Sequence, residues 1–260
     1  MSIPLQGVGV LVTRPDLQAM PLCRLLEAQG ATTLRLPALE IRPLKARREL
    51  AEHFGALHDF DVIIFTSANA VRFGVSFLDQ KRDLTLAAIG PATARAINQA
   101  GYRVAINPSG AFDTEGLLSN PKLAHVSGHR VLVVKGGDGR QLLQQELTRR
   151  GATVASVDVY ERVPARPSVA ALAEVLQRFA AGDVQVITAT SLQTGEALLN
   201  MATPPLRSEF ERAHWLVPSE RVASGLRGLG LQAPLLQADS AEDQDLVAAL
   251  IRWRSSVSGA

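Results

Sequence analysis

An internal repeat constrains the fold of this chain more than any other feature of its sequence. The segment from Gly7 to Pro43 recurs without a gap from Gly128 to Pro164, 121 positions later. A second match follows, because the run DVIIFT that starts at Asp61 corresponds to DVQVIT starting at Asp183. A repeat this long indicates two similar domains rather than a solenoid of small units.

Both copies alternate short apolar runs with segments of helical spacing. The apolar run 8–13 leads into a helix that stops at Gly30, and the run 61–65 leads into another helix. Runs that are apolar on both faces are typical of strands inside a parallel sheet. We therefore predict an α/β protein with two similar doubly wound parallel-sheet domains. A polar-faced helix is predicted over 47–57, and residues 202–212 are predicted to be a loop or a helix extension.

Length and composition exclude several classes of protein. The 260 residues suffice for two domains, and 47% hydrophobic with 20% charged residues fit a globular protein without a membrane helix. A net charge of +2 with 5% aromatic residues is not typical of a nucleic-acid-binding protein. The single cysteine, Cys23, excludes an internal disulfide and a zinc-binding cysteine pattern. Since no secretory signal is recognisable, we expect a cytoplasmic protein with neither membrane nor nucleic-acid partner.

The predicted ligand site lies where the parallel strands end and helices begin. Helix N-termini there point backbone N–H groups and partial positive charge outward, which suits anions. The residues at these positions are Thr13-Arg14, Thr66-Ser67, Gly90 to Thr93, Lys135 to Gly137, Thr190-Ser191 and Pro218-Ser219. If the domains face each other, these loops line a cleft for a ligand with several carboxylates or phosphates. Arg14 and Lys135 are predicted to pair with its carboxylates, although each could equally be a solvated surface charge.

Familiar catalytic and cofactor motifs are missing from the sequence. The glycine-rich run 135–140, KGGDGR, matches neither the dinucleotide fingerprint nor the phosphate-binding loop of nucleoside triphosphatases. The five histidines are scattered, and none has metal-ligand spacing with another histidine or a cysteine. The sequence therefore predicts no metal and weakens the hypothesis of a nucleotide-dependent enzyme.

Tyr160 is one of only two tyrosines and lies in the second copy's extended segment. It can be a strand residue that packs by its ring, or a hydroxyl at a site. A phenol is protonated at neutral pH and can donate a hydrogen bond. Both interpretations stay open on the residues alone.

The ordered set of motifs resembles the uroporphyrinogen-III synthase family over essentially the whole chain. The motifs are VTRP at 12–15, DVIIFTSANAV at 61–71, AIGPATARAI at 88–97, FDTEGLL at 112–118, VLVVKG at 131–136, VYER at 159–162 and WLVPSERVA at 215–223. The resemblance implies two α/β domains joined by a two-stranded β connector. It implies one discontinuous domain of residues 1–36 and 165–260, a second of residues 44–156, and connecting strands 37–43 and 157–164.

The same resemblance implies an activity in haem, sirohaem and cobalamin biosynthesis. The family is a lyase that closes hydroxymethylbilane to uroporphyrinogen III, with loss of water and inversion of ring D through a spiro intermediate, and without a cofactor. It implies Tyr160 as the catalytic donor. It implies substrate-binding roles for Ser67, Thr93, Ser191 and Ser219. We expect a monomer, and the alternative function is a non-catalytic two-domain binding protein for a polyanionic small molecule.

Overall fold

The computed structural model describes residues 3–44, 59–78, 84–109, 111–137 and 141–258. The helix predicted over 47–57 and the end of the glycine-rich run, residues 138–140, lie outside these ranges.

Strands and helices alternate along the described chain. The strands are β1 Gly9–Val12, β2 Thr32–Arg35, β3 Leu39–Pro43, β4 Val62–Phe65, β5 Leu86–Ala88, β6 Val104–Ile106, β7 Arg130–Gly136, β8 Thr153–Pro164, β9 Val186–Thr188, β10 His214–Val217 and β11 Leu235–Gln237. The α-helices are α1 Asp16–Ala28, α2 Ala68–Gly74, α3 Pro91–Gln99, α4 Thr114–Leu118, α5 Leu142–Arg149, α6 Val169–Ala180, α7 Leu192–Met201, α8 Pro204–Arg212, α9 Glu220–Gly228 and α10 Asp243–Ser258. Short 3-10 helices cover Val75–Phe77 and Pro121–Leu123. The stretch 202–212, predicted as a loop or a helix extension, contains α8 as a separate helix.

The chain forms two compact units. Unit 1 consists of Met1–Glu40 and Val163–Ala260, and unit 2 of Ile41–Arg162. The chain passes between them within β3 and β8, which are neighbours in one sheet. The domain boundaries inferred from the family resemblance stay a prediction.

Unit 1 contains a five-stranded sheet in the order β11-β10-β9-β1-β2, and its strand pairs are parallel. All four residues of β1 are buried because helices cover both faces of the sheet. Leu11 packs in the apolar core on one face with Ile187 and Trp215. Val10 and Val12 pack in the core on the other face. The continuous apolar run in the sequence is thus explained by burial on two sides.

Unit 2 contains the core of a six-stranded sheet in the order β3-β8-β7-β4-β5-β6. The pairs from β8 to β6 are parallel. Residues of β7 alternate between two cores, with Leu132 and Val134 on one face and Val131 and Val133 on the other. The carboxyl ends of these strands therefore lie at one edge, which is where a doubly wound sheet binds its ligand.

The two sheets have the same topology with different chain starts. In unit 2 the strands β4 to β8 take the spatial order β6-β5-β4-β7-β8, the arrangement 3-2-1-4-5 of doubly wound folds. Unit 1 shows that arrangement when counted from β9 to β11 and then β1 and β2. The sequence repeat follows from this: β1-α1-β2 matches β7-α5-β8, and Gly30 and Gly151, at φ of 87° and 86°, follow the matching helices. The predicted fold class is confirmed.

Candidate active site

A cavity of about 200 Å³ opens at the carboxyl edge of the sheet in unit 2. It lies where β4 and β7 end side by side, the point at which the strand order reverses and doubly wound folds bind ligands. The residues that line it are Thr66, Ser67, Ile89, Thr114, Val133, Lys135, Gly136, Gly137, Leu143, Gln144, Tyr160 and Arg162. Three predicted site residues, Ser67, Lys135 and Tyr160, are therefore brought together here.

Tyr160 is placed by the glycine opposite it. Its ring packs against Gly136 so closely that a Cβ atom on that residue would lie 2.3 Å from the ring carbon that carries the hydroxyl. The ring also contacts Phe73, with centroids 6.0 Å apart, and only 2% of the residue is exposed. The ring of Tyr160 belongs to the core and the residue also lines the cavity, and a role of its hydroxyl at a site stays a prediction.

Ser67 links the start of a helix to that tyrosine. The residue precedes α2, and its Oγ accepts a hydrogen bond from the Ala70 N–H at 3.0 Å, as an N-cap does. The same Oγ lies 3.1 Å from the Tyr160 hydroxyl, and either oxygen can be the donor. When Ser67 donates to the phenol oxygen, the Tyr160 proton is left for a third group in the cavity.

Lys135 supplies positive charge on the β7 side of the cavity. Its Nζ lies 2.8 Å from Asp158 Oδ1 on the neighbouring strand, and 15% of the lysine side chain is exposed against 40% of the aspartate. An ammonium group has three donors, so this ion pair leaves Lys135 able to donate to a ligand carboxylate as well. Arg162 lines the same cavity and adds a second cation.

Thr93 occupies a different environment. It is the third residue of α3, its exposed fraction is 3%, and it is not among the residues that line the cavity. Helix α3 begins with Pro91 after Gly90, whose extended backbone has no side chain to cap it. The family resemblance implies a substrate contact for Thr93, and the first turn of α3 buries its side chain in the structure.

The matching positions of unit 1 carry the other predicted residues. Arg14 follows β1 and pairs with Asp243 at the start of α10, and it also donates to the Ala241 carbonyl. Only 12% of the Arg14 side chain is exposed, so this cation is mostly buried and is paired within its own unit. Ser191 caps α7 by accepting from the Thr194 N–H at 3.1 Å.

Ser219 also stands at a helix start, directly before α9, but it makes no side-chain cap hydrogen bond. At the reversal point of this sheet the backbone N–H of Thr13 donates to Thr188 Oγ1 at 3.2 Å, and the Thr13 hydroxyl donates to the Thr188 carbonyl. These contacts join the ends of β1 and β9.

Several features of the cavity escaped sequence reasoning. Gly136 was predicted at a strand end of the ligand site, whereas its contact with the Tyr160 ring was not predicted. Arg162 stands in the VYER motif, which gave a signal that could have been used. Gln144 lies inside α5 and carries no motif, and its Oε1 is buried without a hydrogen-bond donor among the described residues.

The described residues lack the features of a metal site and of a membrane-spanning helix. No group of three His, Cys, Asp or Glu side chains there could hold a metal ion. In the same ranges, no helix is both long and apolar enough to cross a bilayer.

Comparison with known proteins assigns the chain to a family. The family model described as uroporphyrinogen-III synthase HemD matches residues 21–248 of the 260. Uroporphyrinogen-III synthase of Escherichia coli K12 is 32% identical over 94% of this chain and 100% of that protein. The enzyme of the same name from Salmonella typhimurium LT2 is 31% identical, again over 94% and 100%.

Solved structures with low sequence identity share the fold. A mutant uroporphyrinogen III synthase from the extreme thermophile Thermus thermophilus superposes with a TM-score of 0.58 at 20% identity, over 97% of this chain and 100% of that one. The protein described as uroporphyrinogen-III synthetase from Helicobacter pylori 26695 gives 0.56 at 14% identity, over 96% and 99%. From the family match and the full-length relatives, this chain belongs to the uroporphyrinogen-III synthase HemD family.

Proposed function

We propose that this chain cyclises hydroxymethylbilane to uroporphyrinogen III, with loss of water and inversion of ring D. The observation that carries the proposal is the 32% identity to the Escherichia coli uroporphyrinogen-III synthase along the whole of that enzyme. The alternative of a non-catalytic binding protein gains nothing from the relatives described above, which are named as enzymes.

The cavity in unit 2 supports this chemistry through its hydroxyl pair. In the proposed mechanism the Tyr160 hydroxyl donates its proton to the terminal hydroxyl of the substrate, the carbon–oxygen bond breaks and water leaves. Ser67, 3.1 Å away, stabilises the phenolate by donating to it. The substituted carbon of ring D, which carries no hydrogen, bonds to the methylene that lost the hydroxyl and gives the spiro intermediate. The older bond from this carbon to the methylene bridge of ring C then breaks, and the unsubstituted α carbon of ring D bonds to that bridge. The hydrogen that this last carbon loses returns the proton to Tyr160. General acid assistance of this kind typically contributes about 10² to 10⁴ in rate.

The charges of the site fit the eight carboxylates of the substrate. Lys135 and Arg162 line the cavity on the side of β7 and β8, and we assign them to substrate carboxylates. Arg14, Ser191, Ser219 and Thr93 stay predictions as substrate contacts. For Arg14 a substrate carboxylate would have to share the guanidinium with Asp243, since the two already pair.

Control of the isomer requires orientation more than acid chemistry. The unaided closure of hydroxymethylbilane gives the uninverted type I product, so the enzyme must hold the chain folded for attack at the substituted carbon of ring D. Correct positioning of reacting groups can supply roughly 7 to 11 kcal/mol of a barrier. We therefore expect the product ratio to report on the site more directly than the rate does.

The test is to give the purified protein freshly prepared hydroxymethylbilane, oxidise the products and separate the type I and type III porphyrins. We expect type III to predominate without added metal or nucleotide. Type I alone, at the rate of a buffer control, would refute the proposal. The cytoplasmic location and the monomeric state also stay predictions, and sedimentation with and without substrate measures the latter.

A further inference from the structure

Gln144 is a polar residue of the cavity to which the proposed reaction assigns no role. Its side chain lines the cavity, and its Oε1 is buried with no donor in the part of the chain that the structure describes. Buried polar atoms in native proteins nearly always have a hydrogen-bond partner, and an exception calls for an explanation. Burial without a partner opposes folding, so a bound molecule that supplies a donor would relieve a cost already present.

The neighbouring polar residues in helix α5 and just before it lie in different environments. Gln141 and Gln145 are exposed to solvent. Glu146 accepts hydrogen bonds from Arg149 and Arg150, and these bonds lower the pKa of its carboxyl to about 2. Among these four polar side chains, Gln144 therefore stands apart in having a buried oxygen without a donor. An apolar side chain would pack at this position without that penalty.

The missing partner must be a donor, and the substrate offers two kinds of donor, its terminal hydroxyl and its pyrrole N–H groups. The proposed mechanism assigns the hydroxyl to Tyr160, which leaves the pyrrole N–H groups. The other polar side chains considered above, Ser67, Lys135, Tyr160 and Arg162, can all donate and so suit carboxylates. An ionised carboxylate has no proton to give to an amide oxygen. A tetrapyrrole carries a pyrrole N–H on each ring, and this group only donates.

We infer that the Gln144 amide turns toward the cavity when the tetrapyrrole binds, so that its Oε1, which protein atoms enclose in the structure, accepts a hydrogen bond from a pyrrole N–H and orients that ring. This inference rests on the proposed function, because it names the group of the substrate that donates a hydrogen bond to Gln144. Gln144 is a positioning residue in this scheme. The hydrogen bond persists in the product, since cyclisation leaves the pyrrole N–H groups in place while it removes the terminal hydroxyl.

The test compares Gln144→Met with Gln145→Met. The control changes the same residue type at the next, exposed position of the same helix. We measure kcat and KM with hydroxymethylbilane, and the inhibition constant of anaerobic uroporphyrinogen III. For Gln144→Met we expect kcat/KM to fall about three- to tenfold and the product's inhibition constant to rise by a similar factor, as expected for one neutral hydrogen bond. The thermal midpoint should stay the same or rise, because the orphaned oxygen is gone.

Three outcomes would overturn the inference. Unchanged kinetics and unchanged product inhibition in Gln144→Met mean that the amide does not contact the ligand. A fall in kcat/KM with unchanged product inhibition assigns Gln144 to the terminal hydroxyl, which only the substrate carries. A lowered thermal midpoint together with lost activity indicates a packing role, and Gln144→Leu is then measured in the same way. If the wild-type protein yields only type I product, the proposed function fails before any variant is compared.

Discussion

Replacing Gly136 by alanine should displace the Tyr160 ring and so disable the site. The new Cβ would lie 2.3 Å from Tyr160 Cζ and 2.5 and 2.8 Å from the two adjacent ring carbons. Non-bonded carbon atoms pack about 3.5 to 4.0 Å apart, so the ring must retreat by at least about 1 Å. The hydroxyl moves with Cζ, and we expect its hydrogen bond with Ser67 to be lost. Overpacking of this kind destabilises a protein by about 1 to 3 kcal/mol.

The same displacement gives the expected loss of activity. A misplacement of about 1 Å at a reacting centre can lower the rate by about 10². We therefore expect Gly136→Ala to lower kcat by up to about a hundredfold and to raise the share of type I product. The assay is porphyrin isomer analysis after brief reaction with fresh hydroxymethylbilane, with urea unfolding measured in parallel.

Gly137→Ala is the matched control for this substitution. Gly137 lines the same cavity, but a Cβ there would meet nothing within 4 Å. In a Tyr160→Phe background, Gly136→Ala should lower kcat little further, because both changes remove the same hydroxyl from its place. The reasoning is refuted if Gly136→Ala retains wild-type turnover, or if Gly137→Ala is equally damaging.

Three further predictions concern single side chains. Tyr160→Phe should lower kcat by about 10² to 10⁴ with the urea midpoint nearly unchanged, and unchanged kcat removes Tyr160 from the mechanism. Ser67→Ala should cost about 1 kcal/mol of stability through the lost cap and lower kcat by roughly ten- to a hundredfold through the lost hydrogen bond to the phenolate, so an unchanged kcat would remove Ser67 from the mechanism. Burial lowers the pKa of His214, so the unfolded chain binds this proton at a higher pH than the folded chain does. The associated stability is present above the unfolded value near 6.5 and is lost as pH falls below it. His214→Phe keeps a ring against Trp253. Between pH 7.5 and 5.5, its free energy of unfolding in urea should depend less on pH than that of the wild-type protein. An equal pH dependence argues against this role of His214.

The sequence predicted the fold because its signals are local and repeated. The apolar runs that became β1 and β4 lack alternation, and this reflects burial on both faces of a sheet. The glycines that follow α1 and α5 have the left-handed backbone expected of helix ends. The repeat could not reveal that the sheet of unit 1 combines the first two strands of the chain with its last three. The strand order shows it, because β1 lies between β2 and β9 in the sheet of unit 1.

The site was predicted only in part, because its geometry depends on contacts between distant residues. Strand ends and motifs selected Ser67, Lys135 and Tyr160, which do line one cavity. The packing of the Tyr160 ring on Gly136 depends on the pairing of β7 with β8, and no local pattern encodes it. The pairing of Arg14 with Asp243 likewise joins residues 229 positions apart.

The interleaved strand order of unit 1 matters most while the chain is being made. Unit 2 is contiguous, so all of its sheet partners have been synthesised by the time Arg162 is added. β1 must wait for β9, since Val10 pairs with Val186. At translation rates of about 5 to 20 residues per second, that wait lasts roughly 10 to 35 s. Throughout it the apolar β1 has an unpaired edge open to other chains, so we expect nascent unit 1 to be the part of this protein that depends on a chaperone.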